Sequence, residues 1–491
     1  MKAKVFTFLG LVTAMLLTGC TKEDSSKIIK FQVLKAGLGT EVYEKLASAY
    51  QEEHPGVKVK IIFNYDVNAD VDKHLTTGKC SDIYSIRDIS AIKRYYAKGQ
   101  IIDLKDVVYN AEIENGKTLL DLIDSQAANY CEYNGHYICV PEYVNVNGFV
   151  YNKKLFDQYG WEIPNTTEEM QELAERIIRD TGDTVKPFVT CNAADGYFYY
   201  LLNGIVTSYQ GIANMDKIYE FENAEIFNPA NRTDKLYALQ TMKNWYLEGN
   251  NLVVKGSIGY DHIQAQTALL DGKAAMMLNG SWFENEMSAY IDYSKHDLGM
   301  FRVPEYSIGG VVQHAEGSTT EGDKKIINCE YTANYIIPSA AANREGAIDF
   351  LKFINRSDMS ILYTKTCNTV RPFNYNKDSS SADYAGMRSF GKSVLDMANN
   401  NTSYVPVSKS QLVISAGISF WPLTGDNYHI KAMLRNNEEP IDALRREYNY
   451  AKTLFRSVLH VFVYKIDISL LLMNFKKSIA PSLFAAALGM M

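Results

Sequence analysis

The chain has 491 residues, enough for two to four domains of ordinary size, and with 46% hydrophobic against 22% charged residues most of it can build packed cores. Its formal net charge is −7 and it holds no long basic block, which argues against nucleic acid as a partner, because phosphate binding needs clustered Lys and Arg. Tyrosine is the outlier at 34 residues; its flat apolar face and polar edge suit wet, sugar-like or peptide-like ligands, although most single tyrosines serve as core and surface filler.

Lys2 and Lys4 give a positive start, Val5 to Leu17 is apolar, and small residues precede Cys20. That pattern reads as a secretory signal, and its apolar run is too short for a spanning helix. The ending Leu17-Thr18-Gly19-Cys20 resembles the bacterial lipobox, which implies that Cys20 is diacylated, becomes the mature N-terminus and holds the protein to a membrane. Residues 21–27 read as a polar tether.

Residues 28–34 alternate like a strand, Gly37-Leu38-Gly39-Thr40 turns, and Glu41 to Glu53 sets Val42, Leu46, Ala49 and Tyr50 on one helical face. His54-Pro55-Gly56 stops that helix, and Val57, Val59, Ile61 and Phe63 alternate as a second strand. Strand, helix, strand is a βαβ unit and predicts a parallel sheet. Cys131 to Pro141 reads as a hairpin around Tyr133-Asn134-Gly135-His136, leading into a buried strand over 144–152. Thr166-Thr167-Glu168-Glu169 opens a helix with the stripe Met170, Leu173, Ala174, Ile177 and Ile178. Ala274 to Leu278 is a short strand ending at Asn279-Gly280-Ser281-Trp282, and Ala333 to Ile337 is another, followed by a helix marked by Ala347, Phe350, Leu351 and Ile354. Residues 376–383 form a polar loop. From Arg456 the chain is rich in Val, Leu, Phe and Ile, but Lys465, Asp467, Lys476 and Lys477 interrupt it, so no uncharged run reaches about 18 residues. A surface-lying segment or an appendage remains for this 456–491 tail.

Several chemical motifs nearly form and fail. Gly37-x-Gly39 lacks the third glycine of a dinucleotide fingerprint, where Val42 stands. Asp66-x-Asn68-x-Asp70 starts like a calcium loop but continues with Val71 and Thr77 in place of Gly and Glu. Six cysteines besides Cys20 are scattered without metal spacing, and only Cys131 and Cys139, across the hairpin, are placed to pair. No nucleophile elbow, phosphate loop or zinc-protease helix occurs. The reading therefore carries no catalytic residue, metal or cofactor.

Four segments in order carry a resemblance. Gly135-His136-Tyr137-Ile138-Cys139-Val140-Pro141 with Phe149-Val150-Tyr151-Asn152-Lys153-Lys154-Leu155-Phe156, then Ile163-Pro164-Asn165-Thr166-Thr167, resembles the interlobe crossing of the extracellular solute-binding family that includes maltose-binding proteins. Asp271-Gly272-Lys273-Ala274-Ala275-Met276 with Gly280-Ser281-Trp282, and Ile336-Ile337-Pro338-Ser339 with the helix after it, are similar to two further segments of that family. The resemblance covers about residues 28 to 455; it departs at Ser81-Asp82, where many members carry Pro-Asp, and offers nothing for the tail. It implies an α/β fold of the type II periplasmic-binding-protein kind, with two doubly wound, mainly parallel lobes joined by a hinge. Residues 28–146 with about 331–356 would form one lobe, and 147–330 with about 357–455 the other. It implies a monomer that captures a carbohydrate by hinge closure and delivers it to the permease of an ABC importer.

By the same resemblance the crossing falls at Asn145-Val146-Asn147, whose amides offer the donor and acceptor that vicinal hydroxyls require. Trp282 matches the family's stacking aromatic, Tyr197 and Phe198 another, and Trp421 a late one. Thr40, Glu41, Arg87 and Asp88 follow strand ends of the first lobe and could meet hydroxyls. The rival readings are a binder of the same fold for a peptide, polyamine or anion, with Arg371 the one tempting anion ligand, a secreted glycosidase, and a ligand sensor for a membrane kinase.

Overall fold

A computed structural model describes residues 27–35, 37–191, 196–220, 223–318, 325–406, 427–453 and 455–456. Cys20, residues 21–26 of the expected tether, Trp421 and the tail from 457 lie outside the described residues. The predicted βαβ start is present as β1 (Ile28–Leu34), α1 (Glu41–Glu53) and β2 (Lys58–Asn64), followed by α2 (Val67–Thr77), β3 (Ile83–Ile86) and α3 (Ile89–Ala97). β1 pairs in parallel with both β2 and β3, as helical crossovers between neighbouring strands allow.

The long strand β4 (Val140–Asn152) organises the rest. Its first half, through Val146, pairs antiparallel with β8 (Ile326–Ile336). From Asn147 onward it pairs antiparallel with β6 (Ala274–Gly280) and β7 (Leu298–Phe301), and β5 (Lys186–Val189) lies parallel beside β6. β8 makes the reverse journey: Ile326 to Asn328 pairs with β9 (Thr402–Tyr404), its middle with β4, and Asn334 to Ile336 with β3. The sheet order is therefore β2-β1-β3-β8-β4-β6-β5, with β7 on β4 and β9 on β8. Two strands that each change partners midway divide one curled sheet into two lobes. β8 begins seven residues before the expected Ala333, because its polar start, Asn328 to Thr332, hides the strand from a hydrophobic pattern.

The apolar side chains gather in two clusters. In the first, Phe31 meets Tyr335 and Phe350 edge-on at 5.7 and 5.5 Å; in the second, Phe149 stacks on Phe301 at 5.4 Å. Burying each such ring contributes roughly 1.5–3 kcal/mol. Gly148 is needed here, since a Cβ would sit 2.2 Å from the Phe301 carbonyl oxygen. α4 (Thr167–Thr181) starts as expected: Thr166 Oγ1 accepts from Glu169 N at 3.2 Å and Glu169 returns the bond to Thr166 N at 3.3 Å, a reciprocal cap that stabilises by about 1 kcal/mol. Met170, Leu173, Ala174 and Ile177 are buried.

Two features need the folded chain. The helix Ser357–Cys367 packs on α1, with Lys45 Nζ donating to Thr366 Oγ1 at 3.4 Å, so it sits with the N-terminal strands rather than with the half that follows β4. The Asp66–Asp70 stretch is structural: Asp66 caps α2 through Ala69 N at 3.1 Å, and Asp70 accepts from Gln32 Nε2 at 3.1 Å. The hairpin forms, with Asn134 and Gly135 both at positive φ, and the Cys131 and Cys139 thiols stand 3.3 Å apart as free cysteines. Among the described residues no helix is long and apolar enough to cross a membrane.

Candidate functional site

Where β4 changes partners its side chains alternate, so Asn145 and Asn147 share one face while Val144 and Val146 take the other. In the β4–β8 register Asn145 lies opposite Glu330 and Val144 opposite Tyr331. Asn145 donates through Nδ2 to Thr332 Oγ1, but among the described residues its Oδ1 has no partner, and neither does Oδ1 or Nδ2 of Asn147. Both residues are buried, at 5% and 3% exposure. A buried polar atom without a partner costs about 1–3 kcal/mol, so three in one place make these two residues candidates for binding.

Beside them stands Trp282, at the end of β6. The turn that carries it is fastened to the crossing strand: Ser281 N donates to Val146 O at 3.0 Å, Ser281 Oγ bonds Thr369 Oγ1 at 2.8 Å, and Thr369 Oγ1 donates to Val144 O at 2.8 Å. Gly280 lets the indole fold back, since a Cβ there would lie 1.9 Å from the ring. The ring reaches the turn after β1, where a Cβ on Gly37 would stand 3.3 Å from Trp282 Cδ1. The second glycine of the failed fingerprint pattern is thus matched by a first one that makes room for an aromatic from the other lobe.

Helix α5 (Gly196–Glu220) adds two rings one turn apart. Tyr197 and Tyr200 lie 6.1 and 6.2 Å from Trp282 and 6.0 Å from each other. Burial pushes both hydroxyls above their ordinary range, so they stay neutral donors. Tyr200 Oη donates to Glu330 Oε2 at 3.3 Å. Burial lifts the Glu330 carboxyl to about 7, against the pull of that hydrogen bond and of the Arg87 charge. Glu286, which Tyr197 feels, is tied to Gln266 Nε2 at 2.7 Å.

Trp282, Tyr197, Asn145 and Asn147 therefore stand together, and Arg87, exposed at the end of β3, acts on Glu330 by charge. The other expected residues are elsewhere. Phe198 is 1% exposed and meets Tyr246 edge-on at 5.2 Å; one step from Tyr197 on a helix is about 100°, which turns it into the second core. Asp88 caps α3, accepting from Ser90 N at 2.8 Å and Ala91 N at 3.1 Å. Thr40 occupies the N-cap of α1 without a side-chain bond, and Glu41 is exposed and pairs with Lys45 at 2.8 Å. Tyr200 and Glu330 were not found in the sequence. Tyr200 had a signal, its helical spacing from Tyr197; Glu330 had none before strand pairing was known.

Arg371 is 1% exposed and each of its three nitrogens donates to the fold, to Glu142 O at 2.9 Å, Asn355 Oδ1 at 2.7 Å and Ile354 O. It is a packing cation and not an anion ligand. Among the described residues no group of three His, Cys, Asp or Glu could hold a metal. On the opposite face of the crossing strands, where Val144 and Tyr331 point, a cavity of about 880 Å³ opens, lined also by Tyr130, Lys93, Lys377 and Asp216.

Sequence and fold comparisons place the chain in a family and a fold. The family model of the bacterial extracellular solute-binding protein matches residues 36–359. The chain is 24% identical over 364 residues to the multiple sugar-binding protein of Streptococcus mutans, covering 70% of this chain and 81% of that one. Its fold is similar to the GacH receptor of Streptomyces glaucescens, solved free and with acarbose (TM-score 0.61, 16% identity, 88% of this chain and 98% of that one). It is equally similar to the sugar-binding protein MalE of Xanthomonas citri (TM-score 0.62, 11% identity, 89% and 99%). With two lobes linked by partner-changing strands and a family match over most of its length, this chain belongs to the bacterial extracellular solute-binding proteins.

Proposed function

We propose that the protein captures a carbohydrate, an oligosaccharide, between its lobes and delivers it to the permease of an ABC importer. The observation that carries this reading is the pairing of an aromatic wall with unspent hydrogen-bonding groups. Trp282, Tyr197 and Tyr200 offer flat apolar faces, which suit the C–H face of a sugar ring. Asn145 and Asn147 offer two acceptors and a donor that no group among the described residues uses, which suits hydroxyls. Binding the ligand relieves a cost already present in the empty protein, and contacts from both lobes favour the closed form.

The reading includes lipid attachment at Cys20, on the outer face of the bacterial membrane, and a monomer that carries out no covalent chemistry. Its lobes are proposed as 28–146 with about 331–367, and 147–330 with about 368–455. Helix Ser357–Cys367 is assigned to the first lobe because it packs on α1.

Thermal unfolding of the full-length protein against maltotriose, raffinose, xylotriose and N,N′-diacetylchitobiose tests the reading, since a ligand of the folded state raises the melting temperature. One or more of these sugars should raise it, and none should yield new reducing ends on prolonged incubation. A melting temperature unmoved by any neutral oligosaccharide, with a rise on adding a peptide or polyamine, would transfer the site to another solute class.

A further inference from the structure

We infer that Glu330 is a specificity-determining residue of the cleft, which accepts ligand hydroxyls as a carboxylate and so ties capture to the release of a proton. The inference rests on the carbohydrate reading above and adds to it a residue, a charge state and a pH dependence.

The geometry comes first. Glu330 sits on β8 directly opposite Asn145, so both side chains leave the same face of the crossing. Among the described residues nothing pairs with Asn145 Oδ1 or with either polar atom of Asn147 on that face. Among the described residues Glu330 has one hydrogen bond, from Tyr200 Oη to Oε2, and Tyr200 lies against the Trp282 ring. Oε1 is left for a ligand. Glu330 as a residue is partly buried.

The groups that face it come from three elements. α5 supplies the neutral Tyr200 hydroxyl, the end of β3 supplies the Arg87 cation, and β4 supplies the uncharged Asn145. Cys329, next to it on β8, turns to the other face with Val146. One distant cation and one hydroxyl do not offset burial, so the carboxyl titrates at about 7 and is close to half protonated in the empty protein at neutral pH.

A carboxylic acid donates one hydrogen bond and accepts weakly, whereas a carboxylate accepts two or more from hydroxyls and each is stronger. A sugar that presents hydroxyls to Oε1 and Oε2 therefore binds the ionised form better, and the proton it displaces goes to the solvent. The sign follows: affinity rises with pH up to about 7 and levels off above it. If the bound form titrates below about 5, the dissociation constant is roughly 20-fold larger at pH 5.5 than at pH 8.

The test is calorimetry on the full-length protein with whichever of maltotriose, raffinose, xylotriose or N,N′-diacetylchitobiose binds best, at pH 5.5, 7 and 8. Two buffers of different ionisation enthalpy count the protons released. The expected result is the pH slope with roughly half a proton released at pH 7, both lost in Glu330→Gln, which binds at pH 8 about as weakly as the wild type does at pH 5.5. Tyr200→Phe, which removes the bond holding the carboxyl down, should move the midpoint to higher pH, and it keeps the test alive if Glu330→Gln folds poorly. Strong sugar binding with no pH slope and no proton release, or an unchanged slope in Glu330→Gln, overturns the inference and leaves the carbohydrate reading standing. Absence of binding by every sugar at every pH sinks both.

Discussion

Replacing Asn147 by leucine should move stability and affinity in opposite directions. The side chain is 3% exposed and both of its polar atoms lack partners among the described residues. Each such atom costs about 1–3 kcal/mol in the empty protein, and leucine fills nearly the same volume without it. Allowing for some mismatch of shape beside Gly148, the free protein should gain about 2 kcal/mol. The bound state should lose two hydrogen bonds of about 0.5–1.5 kcal/mol each and strand the hydroxyls that made them, a total near 2–3 kcal/mol, or roughly 30- to 150-fold in dissociation constant. Urea unfolding without sugar measures the first quantity and calorimetry with sugar the second. If Asn147→Leu lowers the stability of the free protein, or leaves affinity within about threefold of the wild type, the amide is spent on the fold and the argument from unpaired atoms fails.

Trp282→Ala should weaken sugar binding by about 2 kcal/mol, near 30-fold, while far-ultraviolet circular dichroism stays unchanged, because the ring lies between lobes and not inside one. Glu284 is 4% exposed, and burial lifts its carboxyl to about 7 although Asn368 Nδ2 donates to it at 2.7 Å. Its unfolded form ionises near the ordinary value, so the folded state binds more protons between about 4.5 and 7, and stability is lost as pH rises through that window. Glu284→Gln should therefore stabilise the protein at pH 8 by up to ~3 kcal/mol and leave it unchanged at pH 4, as read from urea midpoints. Arg371→Ala should cost about 3–5 kcal/mol, since it strands three acceptors and empties a fully buried volume. Where that variant remains folded its sugar affinity should be that of the wild type; a selective loss of affinity would return Arg371 to the site.

Much of the architecture was readable before any coordinates. The βαβ start, the capping box at Thr166 and Glu169 and the strand ending at Trp282 are local patterns, whereas the crossing at Asn145 and Asn147 came from the family resemblance. Each local pattern depends on side chains within a turn or two of one another, and hydrophobic period and cap chemistry act at that range. Phe198 shows the limit of motif reading, because its neighbour Tyr197 faces Trp282 while it enters the core, a difference of one helical step. The helix Ser357–Cys367 shows another: its apolar stripe does not say which lobe will cover it.

Periodicity and cap chemistry predicted the βαβ start, the capped helix and several strands, and the family resemblance supplied the two-lobe class and the aromatic and amide candidates. Folding alone brought Glu330 opposite Asn145 and under Tyr200, and left the amides of Asn145 and Asn147 without full partners among the described residues. The reason is strand register. Asn145 and its partner Thr332 are 187 positions apart, and a slip of β8 by one residue would turn Glu330 to the opposite face. That register is set by burial of both cores at once, a property of the whole chain and of no segment within it.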